Sequence, residues 1–159
     1  MENSSKLTDI FPLPEEAKRL ALFIGDWSVK GNLTLGGNSF NVQGNWKFTS
    51  GAAGWGVVNV GKLSIEGLGS YEEVDIIGFD PGEKLYHIFA VTNTAATHDH
   101  RGKWGEDNTL CVVYEGLQEG KKYREEIEIK ILGSNEFAVN EKDILDGKVI
   151  STMNVFMRK

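Results

Sequence analysis

The chain of 159 residues, 40% hydrophobic and 25% charged, has material for one well-cored domain and too little for two. Its formal charge of −6 comes without a basic stripe, which excludes the clustered Lys and Arg that hold nucleic-acid backbones, so no nucleic-acid partner is expected. A single cysteine, Cys111, excludes an internal disulfide and cysteine-rich metal sites, and its apolar run Leu110-Cys111-Val112-Val113 makes it a core or wall residue.

In chain order, residues 1–12 read as a flexible N-terminal arm and 13–159 as one domain. The segment Met1-Glu2-Asn3-Ser4-Ser5-Lys6 lacks the basic-then-apolar pattern of a signal peptide. No apolar run approaches the ~20 residues of a membrane helix, so a cytoplasmic protein without a membrane partner is expected. Pro14-Glu15-Glu16 opens a helix, proline suiting the first turn and acids the positive end of the dipole. Leu13, Ala17, Leu20, Ala21 and Ile24 recur at α-helical spacing and predict one apolar face, which Gly25 ends.

At Trp27 the period changes to two. Trp27, Val29, Gly31, Leu33 and Leu35 alternate with polar residues up to Gly36-Gly37, a two-residue hairpin loop. That loop sets Trp27 against Trp46, Val29 against Gly44, Gly31 against Val42 and Leu33 against Phe40. Further strands are predicted near 54–64, 69–79, 84–93, 96–105, 109–118, 121–132, 136–145 and 148–158. Short loops force sequential antiparallel pairing, and a sheet this wide removes its edges by closing. The predicted fold class is therefore all-β, a meandering antiparallel barrel of about ten strands with one N-terminal capping helix; a split sandwich of the same strands is the alternative. No long apolar stripe falls on the predicted outer face, and the oligomeric state, monomer or dimer, stays open.

Ile24-Gly25-Asp26-Trp27 resembles the Gly-x-Trp signature that opens lipocalin barrels, and Arg158 matches the arginine that lipocalins place over that tryptophan from the last strand. The helix ahead of the first strand and Ile76-Ile77-Gly78-Phe79-Asp80-Pro81 resemble a bacterial family of calycin-type barrels, a domain of unknown function. The resemblance implies a calycin, lipocalin-like barrel with an internal cavity. It implies Gly25, Trp27 and Arg158 as a structural signature and does not imply one function.

The segment Ala96-Thr97-His98-Asp99-His100-Arg101-Gly102-Lys103-Trp104 carries the densest chemistry. Charged Asp99, Arg101 and Lys103 belong in water, so alternation turns His98, His100 and Trp104 inward. A three-residue loop at 106–108 sets Trp104 opposite Leu110 and His100 opposite Tyr114, and Glu119-Gly120 sets Tyr114 opposite Glu125. His100, Tyr114 and Glu125 then form a lateral polar row, which His87 joins if the loop at Thr94-Ala95 has two residues; one residue more sends His87 outward. The predicted ligand-binding set is His87, His98, His100, Trp104, Tyr114, Glu125 and Phe48, in a cavity also walled by Trp27, Trp46, Val112 and Ile127. Trp27 and Trp46 read as closed-end core, whereas Trp104 reads equally as core or ligand platform.

Three functions fit these residues. One is a barrel that binds a small hydrophobic or amphipathic molecule in its lumen. Another is a metal- or haem-dependent or acid/base enzyme using the same row, with His98 and His100 as metal ligands. The third is a structural barrel whose polar groups satisfy one another. No nucleophile elbow or phosphate loop is present, no catalytic residue is assigned, and no cofactor is named. Facing in the last two strands depends on one loop. Three residues at 133–135 turn Phe137, Val139 and Glu141 inward with Asn154 and Phe156, whereas two turn Ala138 and Asn140 inward with Met153 and Val155.

Overall fold

Each alternating segment forms one strand of a computed structural model that describes residues 6–159. The strands are β1 (Gly25–Leu35), β2 (Asn38–Gly51), β3 (Gly56–Ile65), β4 (Gly69–Asp80), β5 (Leu85–Thr92), β6 (Thr97–Trp104), β7 (Thr109–Gln118), β8 (Lys121–Gly133), β9 (Glu136–Leu145) and β10 (Lys148–Arg158). Each pairs antiparallel with the next and β10 returns to β1, closing the barrel and removing the sandwich alternative. The Gly36-Gly37 hairpin has the predicted register, Trp27 facing Trp46 and Leu33 facing Phe40. Of the predicted arm, Leu7–Ile10 forms one helical turn that buries nothing, and residues 1–5 lie outside the described part.

The capping segment differs from its predicted form. The α-helix covers only Glu15–Lys18 and passes into a 3₁₀ helix at Arg19–Phe23. Three residues per turn, instead of 3.6, bring Ala17, Leu20 and Phe23 onto the inner face and leave Ala21 and Ile24 outside. The tightening is fixed from below, because the Trp27 indole N–H donates to the Phe23 carbonyl at 2.7 Å. Phe23 stacks against Phe48 and Phe137 with ring centroids 5.7 and 5.5 Å away. The Tyr86 hydroxyl donates to the Glu16 carbonyl at 2.8 Å, and the Arg19 guanidinium lies 3.9 Å from the Trp104 ring centroid. Trp104 therefore belongs to the plugged end.

Gly25 and Trp27 sit at constrained positions, whereas Arg158 does not join them. Gly25 has φ +139°, in the region that favours glycine, and a Cβ there would come 2.7 Å from Lys159 Cε. Trp27 is buried. Arg158, however, does not cover it. β10 alternation points Arg158 outward to Glu136, at 2.7 Å, and Lys159 puts its ammonium 4.6 Å from the Trp27 ring centroid instead.

The last strands resolve into a mixture of the two predicted facings. Phe137, Val139 and Glu141 point inward on β9, yet their partners on β10 are Met157, Val155 and Met153. Bulges explain the mixture: the register shifts between Ile131 and Gly133 and again between Val149 and Ser151. An extra residue reverses the facing of everything beyond it. The outer wall also departs from expectation. Val60, Val74, Ile76, Phe89 and Val91 are exposed on β3, β4 and β5, and the pairs Val60–Val74, Ile76–Phe89 and Val74–Val91 join them into one apolar stripe. Cys111 is exposed on that outer wall, not in the core.

Candidate functional site

Opposite the plug, the barrel wall opens. The β6–β7 ladder runs from Trp104–Leu110 only as far as Arg101–Val113, while β7 stays paired with β8 up to Gln118–Lys121. The upper halves of β6 and β7 therefore part, leaving a seam. A cleft of about 340 Å³ lies along it, bordered by Ala96, His98, Leu117, Gln118 and Tyr123. Beneath lies a lumenal cavity of about 70 Å³ that also touches Ala96 and His98. That is room for several waters and well short of the roughly 300 Å³ of a pocket that encloses a drug-sized ligand, let alone a haem.

The lumen below the seam is polar. His98 Nδ1 is 2.6 Å from Glu125 Oε2, and His100 Nε2 is 3.1 Å from Glu125 Oε1. His100 is fully buried, with Nδ1 placed 3.1 Å from the Ile88 carbonyl to donate to it. The second contact to Glu125 is an ion-pair approach rather than a directed bond, since His100 Nε2 has no hydrogen-bond partner of good geometry. The Tyr123 hydroxyl donates to Asp143 at 2.7 Å, and Ser151 donates to the other oxygen of the same carboxylate. Across the lumen the Asn59 amide donates to Asp75 at 2.8 Å and Tyr71 to Glu73 at 3.1 Å.

Acids outnumber bases here, and burial penalises their charge. Glu73 is pushed up to about 8 by burial and then by Asp75, and Asp75 rises to about 6, chiefly through burial. Glu141, half-buried on β9, is held well above the usual carboxylate range by burial and by Glu125, Asp143, Glu73 and Asp75. Burial also works against charge on Glu125 and His100, but each overcomes it through the other: Glu125 is lowered by His100 and His98, and His100 is raised by Glu125, Ile88 and Asp75. The result is a carboxylate, Glu125, held in its charged form between two imidazoles, beside acids, Glu73 and Glu141, that burial makes reluctant to lose their protons.

The structure brings together His98, His100 and Glu125 as one constellation and rearranges the rest of the predicted set. Tyr114 faces Glu125 in register; it has no ladder pairing with His100 but meets its ring edge-on with centroids 6.0 Å apart, and it stacks on His98 with centroids 3.9 Å apart. Gly116 permits this, since a Cβ there would run into the Tyr114 hydroxyl. His87 is on the outer wall: the loop before β6 holds three residues, which sets His87 opposite Arg101, and it bonds Asp99 at 3.0 Å. Phe48 lines the cavity from the plugged side, as do Trp46 and Ile127, whereas Trp27, Val112 and Trp104 do not reach it. Sequence reasoning missed Asn59, Glu73 and Asp75. Their signal was parity, because Glu73 and Asp75 share a face with Tyr71, Ile77 and Phe79. Potential metal ligands converge in three groups among the described residues: His98 with His100 and Glu125, Glu125 with Glu141 and Asp143, and Asp80, Glu83 and His87 outside.

No family model and no curated protein matches the sequence. The fold has solved counterparts. The S-type phycobiliprotein lyase CPES from Guillardia theta superposes with a TM-score of 0.65 at 10% identity, over 98% of each chain. A redesigned β-barrel, mFAP0, solved with DFHBI bound, gives 0.51 at 12% identity, over 87% of this chain and 99% of that one. At these identities the likeness is one of fold: this chain is a β-barrel of the same architecture.

Proposed function

We propose that this protein binds a small amphipathic molecule head-first, its polar end at His98 and Glu125 and its apolar body in the mouth cleft. One observation carries the reading: His98 borders both the 340 Å³ cleft and the 70 Å³ cavity beneath it. A molecule larger than the lumen thus has a route to the polar groups without being enclosed. Leu117 and Ile150 give the cleft apolar surface, and Tyr123 and Gln118 give it hydrogen-bonding edges, the mixture typical of orienting sites. The DFHBI-bound barrel supports the reading by analogy of fold, as does the calycin-like start at Gly25 and Trp27.

The competing reading is a filled barrel without a ligand, favoured by the 70 Å³ lumen and by how many of the polar groups bond one another. A thermal-shift series separates the two, using small amphiphiles with ammonium, hydroxyl or carboxylate heads on wild type, His98→Ala and His87→Ala. At least one head class should stabilise wild type and His87→Ala and leave His98→Ala unmoved. No shift across the series, or an equal shift in His98→Ala, favours the filled barrel.

A further inference from the structure

We propose that His98, His100 and Glu125 form a binding site for a first-row divalent metal ion, with Glu141 and Asp143 as its outer carboxylates. This inference stands apart from the amphiphile reading, because it needs metal ions alone. Three observations converge on it.

The ligand atoms of the three residues lie within 4.8 Å of one another, as do those of Glu125, Glu141 and Asp143, so Glu125 joins two overlapping groups. Donors around a tetrahedral zinc at ~2.0–2.1 Å are separated by about 3.3 Å. Of the present His–Glu125 approaches of 2.6 and 3.1 Å, the second is close to that separation and the first needs to open by about 0.7 Å. Two imidazoles with carboxylate oxygens are a donor set for zinc, iron or manganese.

The second observation is His100 itself. Its side chain is 1% exposed, and Nε2 has no directed partner, although it lies 3.1 Å from Glu125 Oε1 and within reach of the other ligand atoms of the group. Its other nitrogen is anchored to the Ile88 carbonyl. In the neutral ring, the backbone carbonyl on the far nitrogen fixes the tautomer whose Nε2 lone pair is free for a metal ion that displaces the second proton, which is how metal-binding histidines are held.

The third is the support given to the carboxylates. Asp143 accepts from both Tyr123 and Ser151, and Tyr114 lies flat on the His98 ring. His98, His100 and Asp143 are thus oriented before any ion arrives. A cation here would also meet the excess of acid over base in the lumen, where Glu141 has no basic partner of its own among the described residues. His98 at the cleft supplies the way in.

The test uses the full-length protein stripped with a chelator and exchanged into chelator-free buffer. Zn²⁺ binding is followed by calorimetry and Co²⁺ binding by its visible d–d absorption, in wild type, His98→Ala, Glu125→Gln and His87→Ala, with circular dichroism confirming each fold. The expected result is one ion per chain in wild type and His87→Ala, Zn²⁺ displacing Co²⁺, and affinity reduced about 100-fold or more in His98→Ala and Glu125→Gln. His98 is the most exposed member of the triad, so its variant should keep the fold. No uptake by folded wild type overturns the proposal. Uptake that survives His98→Ala but is lost in His87→Ala also overturns it and moves the site to the outer wall.

Discussion

At the plugged end Phe23 fits between Phe48 and Phe137, and the Trp27 N–H finds the Phe23 carbonyl. At the mouth, strands of the same kind separate, and His98, His100 and Glu125 share a lumen with the acids Glu73, Asp75 and Glu141. The first region is closed by packing and the second is left open by it. Stability should therefore be concentrated at the plug, and binding at the mouth, where the wall has given up hydrogen bonds. Substitutions at the two ends should have opposite signatures.

The largest effect belongs to Phe23→Ala. It removes a fully buried ring from the aromatic stack and should cost about 3–5 kcal/mol in urea unfolding; a loss below about 1 kcal/mol would show that the 3₁₀ segment is an ornament on a barrel stable without it.

Next is the response of the mouth half to pH. An acid whose folded-state pKa is raised keeps its proton longer folded than unfolded, so its contribution to stability declines as pH rises between the two values. With Glu73 at about 8 and Asp75 at about 6, the melting temperature should fall from about pH 5 to about pH 8. The raised His100 acts in the same direction. Glu73→Gln should flatten the slope and stabilise the protein at the alkaline end by up to a few kcal/mol. A melting temperature that climbs across this window contradicts the assignment of protonated lumenal acids.

The smallest effect is Gly116→Ala. Its Cβ displaces the Tyr114 ring at a cost of about 1–3 kcal/mol, and the His98 ring protons should lose the upfield ring-current shift that stacking gives them. An unchanged His98 spectrum would show that Tyr114 does not hold His98 in place.

Much of the fold was legible because loop length and alternation fix register together. Gly36-Gly37 set the first hairpin, and Glu119-Gly120 set Tyr114 opposite Glu125. Legibility failed where an extra residue enters without a signature. The bulges near Leu132 and Ile150 mixed the two predicted facings of β9 and β10, and one residue in the loop before β6 decided that His87 faces out. The capping helix misled because α and 3₁₀ spacings share Ala17 and Leu20 and diverge only at Phe23. The site was half visible. His98 and His100 stood out because charged neighbours forced their facing, whereas β4 hid its acids by the reverse pattern, Val74 and Ile76 outside and Glu73 and Asp75 within. Reading that inversion needs the β3–β4 register, in which Asn59 faces Asp75.

The most direct test of the central claim, that the polar mouth is a binding site, is native mass spectrometry of the protein purified without chelator from its own cells. It should be run with an elemental scan and beside a His98→Ala, His100→Ala double variant. The account predicts extra mass on wild type, a metal ion or a small organic molecule, which denaturation releases and the folded double variant lacks. Wild type and variant both flying at the bare polypeptide mass, in native and denaturing conditions alike, would contradict it.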